Sequence, residues 1–321
     1  MALTLDDLFA SPDHYLHSFD GDAAIFVPMD RAAYARSIFL DGRISPAGDG
    51  SMRLPLATMA GRVPAPLPTA WILHVAHCGS TLLARALDAI GDNLVLREPQ
   101  ALRQLALMQG AALVPLTAAL LSKRYLSSLP TVIKANVPVN FILGRIAALD
   151  PAARMLFLHL PLRDYLLAIL RSEDHRSWLR RVTAQLAPFL GELSAANDAE
   201  RAAALWLAQM EIYAAAATLP NARSLDAEVF FARPRDILAL AAGHLGVDFS
   251  DGAIDRAVAG PLFATYSKNP GVAFDNAARV ARRAATEVGM RAELDRAAQW
   301  LDAHQKRADA ASAGVAAIAL G

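Results

Sequence analysis

The sequence has a single cysteine in 321 residues, Cys78, which excludes an intramolecular disulfide and fits a reducing compartment. It has no excess of either charge. Because 31 Lys and Arg balance 31 Asp and Glu, a basic face for nucleic acid would have to be local, and no nucleic-acid partner is expected. It also lacks a long uninterrupted apolar run. The nearest, QLALMQGAALVPLTAALLS at 104–122, is uncharged but broken by Gln104, Gln109, Gly110 and Pro115. It reads as two short buried helices with a turn near residues 110–115, and no membrane span is expected. The first residues, MALTLDDLFASPDHYLHSFDGD, are acidic and lack the apolar stretch of a secretory signal, so the expected location is cytoplasmic. No repeat of fixed period is visible.

What is present is apolar material: 55% of residues are hydrophobic and 19% charged, enough for one large α/β domain with an appendage. Residues 1–66 hold a strand-like AAIFVPM, a helical DRAAYARSIFL and a turn-rich DGRISPAGDGSM before the proline-spaced VPAPLPTA. They are expected to form an N-terminal appendage or lid. From Trp71 short apolar runs alternate with helical patterns: WILHV, then a helix from Thr81; LVL at 94–96; TVIK at 131–134, then a helix through Ile146; RMLFLHL at 154–160, then a helix from Asp164. This alternation predicts an α/β fold of βαβ units, with a central parallel sheet covered on both faces and ligands at the carboxyl ends of its strands. Beyond it the pattern is mostly helical: 176–191, 195–217, a short strand around ARSLDA, a helix from Pro234 to about Gly246, and a charged amphipathic helix over much of 280–308. The main domain is expected over 67–308, followed by an alanine-rich tail at 309–321 that is prone to fray.

HVAHCGSTLLARAL, residues 74–87, changes character in its middle. An apolar run ends in a small, polar Cys78-Gly79-Ser80-Thr81 turn, and helical periodicity begins at Leu82, with Leu83, Ala86 and Leu87 available to one face. Strand, tight loop and helix in that order aim backbone N–H groups and a helix dipole at one small volume, which suits a phosphate-like anion. Gly79 allows close backbone approach, and the Ser80 and Thr81 hydroxyls stand at the helix start. A nucleoside triphosphate loop would read G-x-x-x-x-G-K-S/T. Here His74 takes the first glycine position and Ser80 that of the lysine, so a β/γ-phosphate pair with magnesium would be poorly neutralised.

The wider stretch resembles the sulfotransferase family, whose donor is 3′-phosphoadenosine 5′-phosphosulfate. AHCGSTLL matches the last five positions of that family's phosphosulfate loop, P-R/K-S-G-T/S-T/S-L-L. In motif layout the likeness is closest to protein-tyrosine sulfotransferases and bacterial sulfotransferase-like proteins. Their loop helix runs on as ARALDAIG does here, and Glu98 falls nineteen residues after Gly79, where they carry a catalytic glutamate. TVIKANVP resembles the family's strand-end lysine followed by a proline. SLDAEVFFARPRDILALAAGHLGVDF resembles its Y-E-D-L-x-x-x-P-x-x-x-L-x-x-L-x-x-F-L-G segment, and YSKNP at 266–270 its late Ser-Lys element. The resemblance covers roughly 71–270 and implies a P-loop-like three-layer fold with a helical C-terminal half.

It also implies roles. Gly79, Ser80 and Thr81, flanked by Cys78 and Leu82, would cradle the donor's phosphosulfate, and Glu98 would take the proton of an acceptor hydroxyl. Lys134 would stabilise charge on the sulfonyl oxygens and the leaving phosphate. His77 stands where relatives carry Arg or Lys and would assist if its pKa were raised. Ser267 and Lys268 would line the acceptor side. Each has a plainer alternative: a helix N-cap for Gly79–Thr81, a surface pair with Arg97 for Glu98, a solvated strand end for Lys134. Cys78 reads equally as a small buried thiol, and His74 as facing the strand core. A His74/His77/Cys78 metal site lacks a fourth ligand, so no metal is expected, and Asp226 and Glu228 are assigned no chemistry.

The 3′-phosphate motif departs from the family's R-x-x-R/K-D/A with a serine eight residues after the first arginine. Aligning Arg163 and Asp164 with its end puts Leu160 and Ala168 where the arginine and the serine belong. Arg171 and Ser172, three and four positions after Ala168, would share its helix face and compensate. Alternatively Arg163 itself serves, with Ser172 nine residues on. The expected activity is in-line transfer of a sulfonyl group from 3′-phosphoadenosine 5′-phosphosulfate to a hydroxyl or amine of a small-molecule, carbohydrate, lipid or peptide acceptor. A kinase-like phosphotransferase and a non-catalytic descendant that binds a nucleotide or a partner are the alternatives.

Overall fold

A computed structural model describes residues 3–108 and 110–321; Gln109 lies outside the described residues, as do the first two of the appendage. β1 (His14–Asp20), β2 (Ala23–Pro28) and β3 (Met52–Pro55) form an antiparallel sheet. The central sheet holds β4 (Thr69–His74), β5 (Val95–Arg97), β6 (Thr131–Lys134), β7 (Arg154–His159) and β8 (Ala222–Asp226). β9 (Thr265–Tyr266) and β10 (Asn269–Ala273) make a small hairpin.

The central sheet is parallel throughout, in the order β5-β6-β4-β7-β8. Its strands read as continuous apolar runs because helices cover both faces: Ile72, Leu73, Val132, Ile133, Leu156 and Phe157 are fully buried. β4 lies in the middle. After it the chain crosses to β5 and returns to β6 on one side, then adds β7 and β8 on the other, so the strand order reverses at the carboxyl end of β4. Such a switch point leaves a crevice there. The broken apolar run is two helices, Gln100–Met108 and Val114–Leu121, joined through a 3-10 turn at Ala111–Leu113. No helix of the described residues is long and apolar enough to cross a membrane.

Of the N-terminal sheet, sequence patterning shows only β2. The apolar alternation of β1 is interrupted because its register slips between Leu16 and Ser18, and a bulge moves side chains to the other face. The appendage is docked through a small core of its own, Leu8, Leu16, Phe19, Phe26 and Met59, closed over Ala101, Leu116 and Leu120. Lys123 is pinned beneath it, donating to the Leu8 carbonyl at 3.0 Å and to the His14 carbonyl. Burial pushes its pKa down to about 7. The folded state therefore binds this proton less tightly than the unfolded chain, whose value is 10.5, so Lys123 makes stability rise with pH from about 7 upward. Thermal melts at about pH 7 and pH 9 should show that rise, and Lys123→Met should flatten it.

Residues 309–321 do not fray, which corrects the reading of a loose tail. The helix Gln305–Ala316 packs on the helix Asp198–Ala216, with Ala308, Ala311 and Val315 buried. A Cβ added at Gly314 would sit 2.8 Å from that of Ala214, so the small residues are the contact face itself. Beyond the helix, Ser224 N donates to Ile318 O at 2.9 Å and Leu320 N to Ser224 O at 2.8 Å, covering the β8 edge. The single helix expected over 280–308 falls on three: Asn276–Gly289 and Arg291–Asp302, divided at Met290, and the start of Gln305–Ala316.

Candidate functional site

At the carboxyl end of the central sheet lies a cleft of about 710 Å³. β4 ends at His74, and the chain then turns with Ala76, His77 and Gly79 in the left-handed region, at φ 75°, 51° and 82°. Two of these are not glycine, and such conformations persist only where the surroundings enforce them. The helix Ser80–Ile90 follows. Gly79 caps it without a side-chain hydrogen bond, so no side-chain oxygen takes up its first N–H groups, and that end of the helix suits an anion. Ser80, Thr81 and Leu82 are buried and line the cleft, and the Thr81 hydroxyl has no partner.

Glu98 follows β5 and is the third non-glycine residue with positive φ, at 56°. Its N–H donates to Lys134 O at 2.7 Å, and Lys134 Nζ donates to its Oε1. Lys134 is 1% exposed and lies 5.6 Å from the centre of the Phe39 ring. The plain reading of both residues is thereby excluded: Lys134 is no solvated strand end, and Arg97 is not the partner of Glu98. Arg97 is buried instead, bonded to Asp88 at 2.6 Å and Ser37 O at 2.7 Å. Burial on its own would raise the Glu98 pKa, but Lys134, by charge and hydrogen bond, with Lys268 and Arg43, outweighs it and holds the carboxyl below its usual value. Burial lowers the Lys134 pKa, and Glu98 offsets part of that.

His77 lines the cleft. Burial, then the charges of Lys268, His175 and Arg171, push its pKa well down, so the protonated ring of the expected role requires the negative charge of a bound donor. The ring packs on His175 at 4.0 Å and edge-on to Trp178 at 5.4 Å. Cys78 is the small buried thiol of the plainer reading: it lies fully buried against Leu158 O at 3.6 Å, and burial pushes its pKa up to about 11. Arg163 is outside the cleft lining, exposed and bonded to Glu287 at 2.9 Å, so the structure does not bring it together with the other expected anion ligands. Leu160 and Ala168 do line the cleft. So do Arg171, bonded to the Tyr266 hydroxyl at 3.1 Å, and Ser172, the N-cap of the helix Glu173–Gln185. Ser267 and Lys268 reach it from the turn between β9 and β10, where Arg85 donates to Ser267 O at 2.8 Å.

Several lining residues escape the sequence reading. His74 faces the cleft and not the strand core, and Asn136, two residues after Lys134, lines it with an unpaired Oδ1. Phe39 and Arg43 arrive from the appendage, stacked at 3.8 Å. Arg279, Arg282 and Arg283 come from the helix Asn276–Gly289, and their i, i+3, i+4 spacing is the signal that places three guanidiniums on one face. Glu228 latches that helix, accepting from Arg279 at 2.8 and 2.9 Å and from Arg283 at 2.5 Å, while Asp164 takes Arg283 at 2.7 Å. Four cations of the lining, Arg103, Arg171, Lys268 and Arg282, have no acidic partner among the described residues. The cleft thus carries surplus positive charge and suits a polyanion. Among the described residues no group of three or more His, Cys, Asp or Glu could hold a metal ion.

No family model and no curated protein matches the chain. Among solved structures, a sulfotransferase domain from the curacin biosynthetic pathway is similar at 14% identity, over 65% of this chain and 84% of that one, with a TM-score of 0.42.

Proposed function

We propose that this chain transfers a sulfonyl group from 3′-phosphoadenosine 5′-phosphosulfate to a hydroxyl or amine acceptor. The observation that carries the reading is the meeting, in one basic cleft, of an uncapped helix N-terminus and a buried Glu98–Lys134 pair. The helix end and the Ser80 and Thr81 hydroxyls would hold the phosphosulfate. Glu98, kept ionised, would take the acceptor proton as the acceptor oxygen bonds to sulfur and the sulfur–oxygen bond to the 5′-phosphate breaks. Adenosine 3′,5′-bisphosphate leaves, and Lys134 stabilises the charge that collects there. His77 would contribute a neutral hydrogen bond and packing, and Ser267 and Lys268 would close the acceptor side. Arg171, Ser172 and the arginines of the helix Asn276–Gly289 are the groups available to the donor's remaining charge.

Leu160 and Ala168, apolar where the resemblance calls for anion ligands, favour a second reading: a nucleotide binder that does not use the ordinary donor. A thermal-shift titration separates the two. Adenosine 3′,5′-bisphosphate should stabilise the protein more than AMP, or ATP with magnesium; at about 100 times Kd a single-site ligand adds about 2.7 kcal/mol. A response to ATP with magnesium alone would favour a phosphotransferase, and equal responses to AMP and the bisphosphate would favour the second reading.

A further inference from the structure

We propose that His74 is a positioning residue for Glu98: a fixed hydrogen-bond donor that joins Lys134 on one carboxylate oxygen and leaves the other turned to the acceptor. The inference rests on the sulfonyl-transfer reading. His74 is 5% exposed, with one bond to its ring and one to its backbone. Its Nδ1 accepts the Ala76 N–H at 3.1 Å, and Asn140 Nδ2, itself bonded to Gln209, donates to its carbonyl at 3.1 Å. The left-handed backbone at Ala76 accompanies that short return bond.

A ring nitrogen that accepts carries no proton, so in neutral imidazole the proton belongs to Nε2. Burial, then the charges of Lys134 and Lys268, keep the ring neutral, with the Ala135 carbonyl pulling weakly the other way. Nε2 is therefore a donor. It is buried, it has no hydrogen-bond partner, and Oε1 of Glu98 lies 3.9 Å away. Buried donors are nearly always paired, and a shift of about 1 Å would bring this one within bonding range. Of the groups packed around it, Lys134 from β6 and Lys268 from the β9–β10 turn offer no acceptor, and the Ala135 carbonyl and the His77 ring are uncharged ones, weaker than the Glu98 carboxylate. Lys134 also bonds Oε1, so both contacts fall on the same oxygen. The proton of the acceptor hydroxyl then goes to Oε2.

The test compares the wild type with His74→Phe, which removes the donor, and His74→Gln, which keeps an N–H at nearly the same reach. Nitrogen-15 histidine spectra of the wild type should show the Nε2–H tautomer. Carbon-13 titration of the Glu98 carboxyl, assigned by its loss in Glu98→Gln, should move up by about half to one pH unit in His74→Phe and return in His74→Gln. Where turnover is measured, the acid limb of kcat should move the same way with KM unchanged. An Nδ1–H tautomer, or a Glu98 midpoint equal in all three proteins, would overturn the proposal. If His74→Phe does not fold, His74→Met takes its place in the titration, and the tautomer decides on its own. Failure of the sulfonyl-transfer reading shows separately, as absence of stabilisation by the bisphosphate, and does not alter the spectra.

Discussion

Glu98→Gln is expected to lower kcat for sulfonyl transfer about a thousandfold, within the range lost with a general base, while bisphosphate affinity changes by no more than about threefold. The amide cannot take a proton, yet its oxygen still accepts from Lys134, so the geometry of the pair persists. Lys134→Met should be worse for folding. It strands a carboxylate whose partner was 1% exposed, and amputating a buried pair typically costs about 3–5 kcal/mol, against a smaller loss for Glu98→Gln. Thermal melts beside the kinetics separate the two effects. The pH dependence has a definite sign. Because the folded carboxyl titrates below the usual 4.5, its contribution to stability is complete above that value and is lost only as pH falls through the lower, folded one. The acid limb of kcat/KM should likewise fall below 4.5 in the wild type. A Glu98→Gln enzyme of undiminished kcat would remove Glu98 from the chemistry.

How much of this is legible in the sequence depends on the range of the contacts. The central strands are buried on both faces, so each announces itself as an apolar run, and the residues at or just past their ends, His74, Glu98, Lys134 and Leu160, mark where the crevice opens. The direction of a side chain at such an end is another matter. His74 alternates as a core residue would, and only the turn at Ala76 and the position of Glu98 just past a strand two places away show that it faces the cleft. Arg279, Arg282 and Arg283 are visible as one helical face. Nothing along the chain says which way that face turns, because it is fixed by Glu228 and Asp164, some 50 to 120 residues earlier. The sum of lysines and arginines is silent for the same reason: a chain balanced overall still gathers in one cleft four cations without an acidic partner among the described residues.

Gly79→Ala is expected to remove bisphosphate stabilisation and to lower the melting temperature, for two reasons that can be separated. At φ 82° an alanine pays about 1–2 kcal/mol for its Cβ. That Cβ would also stand 2.6 Å from Cζ of Phe231, a contact real structures essentially never show. Phe231 cannot easily yield, since Arg279 stacks on it at 4.1 Å and Phe274 packs against it at 6.0 Å. Either the ring moves, taking the arginine face of the Asn276–Gly289 helix with it, or the loop opens and the helix N-terminus turns away. Both outcomes dismantle the anion site. Adding Phe231→Leu to Gly79→Ala relieves the steric part and leaves the backbone part. A double-mutant cycle should therefore return a favourable coupling of about 0.5–3 kcal/mol in stability, the range found for residues in contact. Restored bisphosphate binding in the double variant would mean that the ring sets the loop's shape. Stability regained without binding would mean that the site requires the left-handed glycine itself, whatever room is made around it.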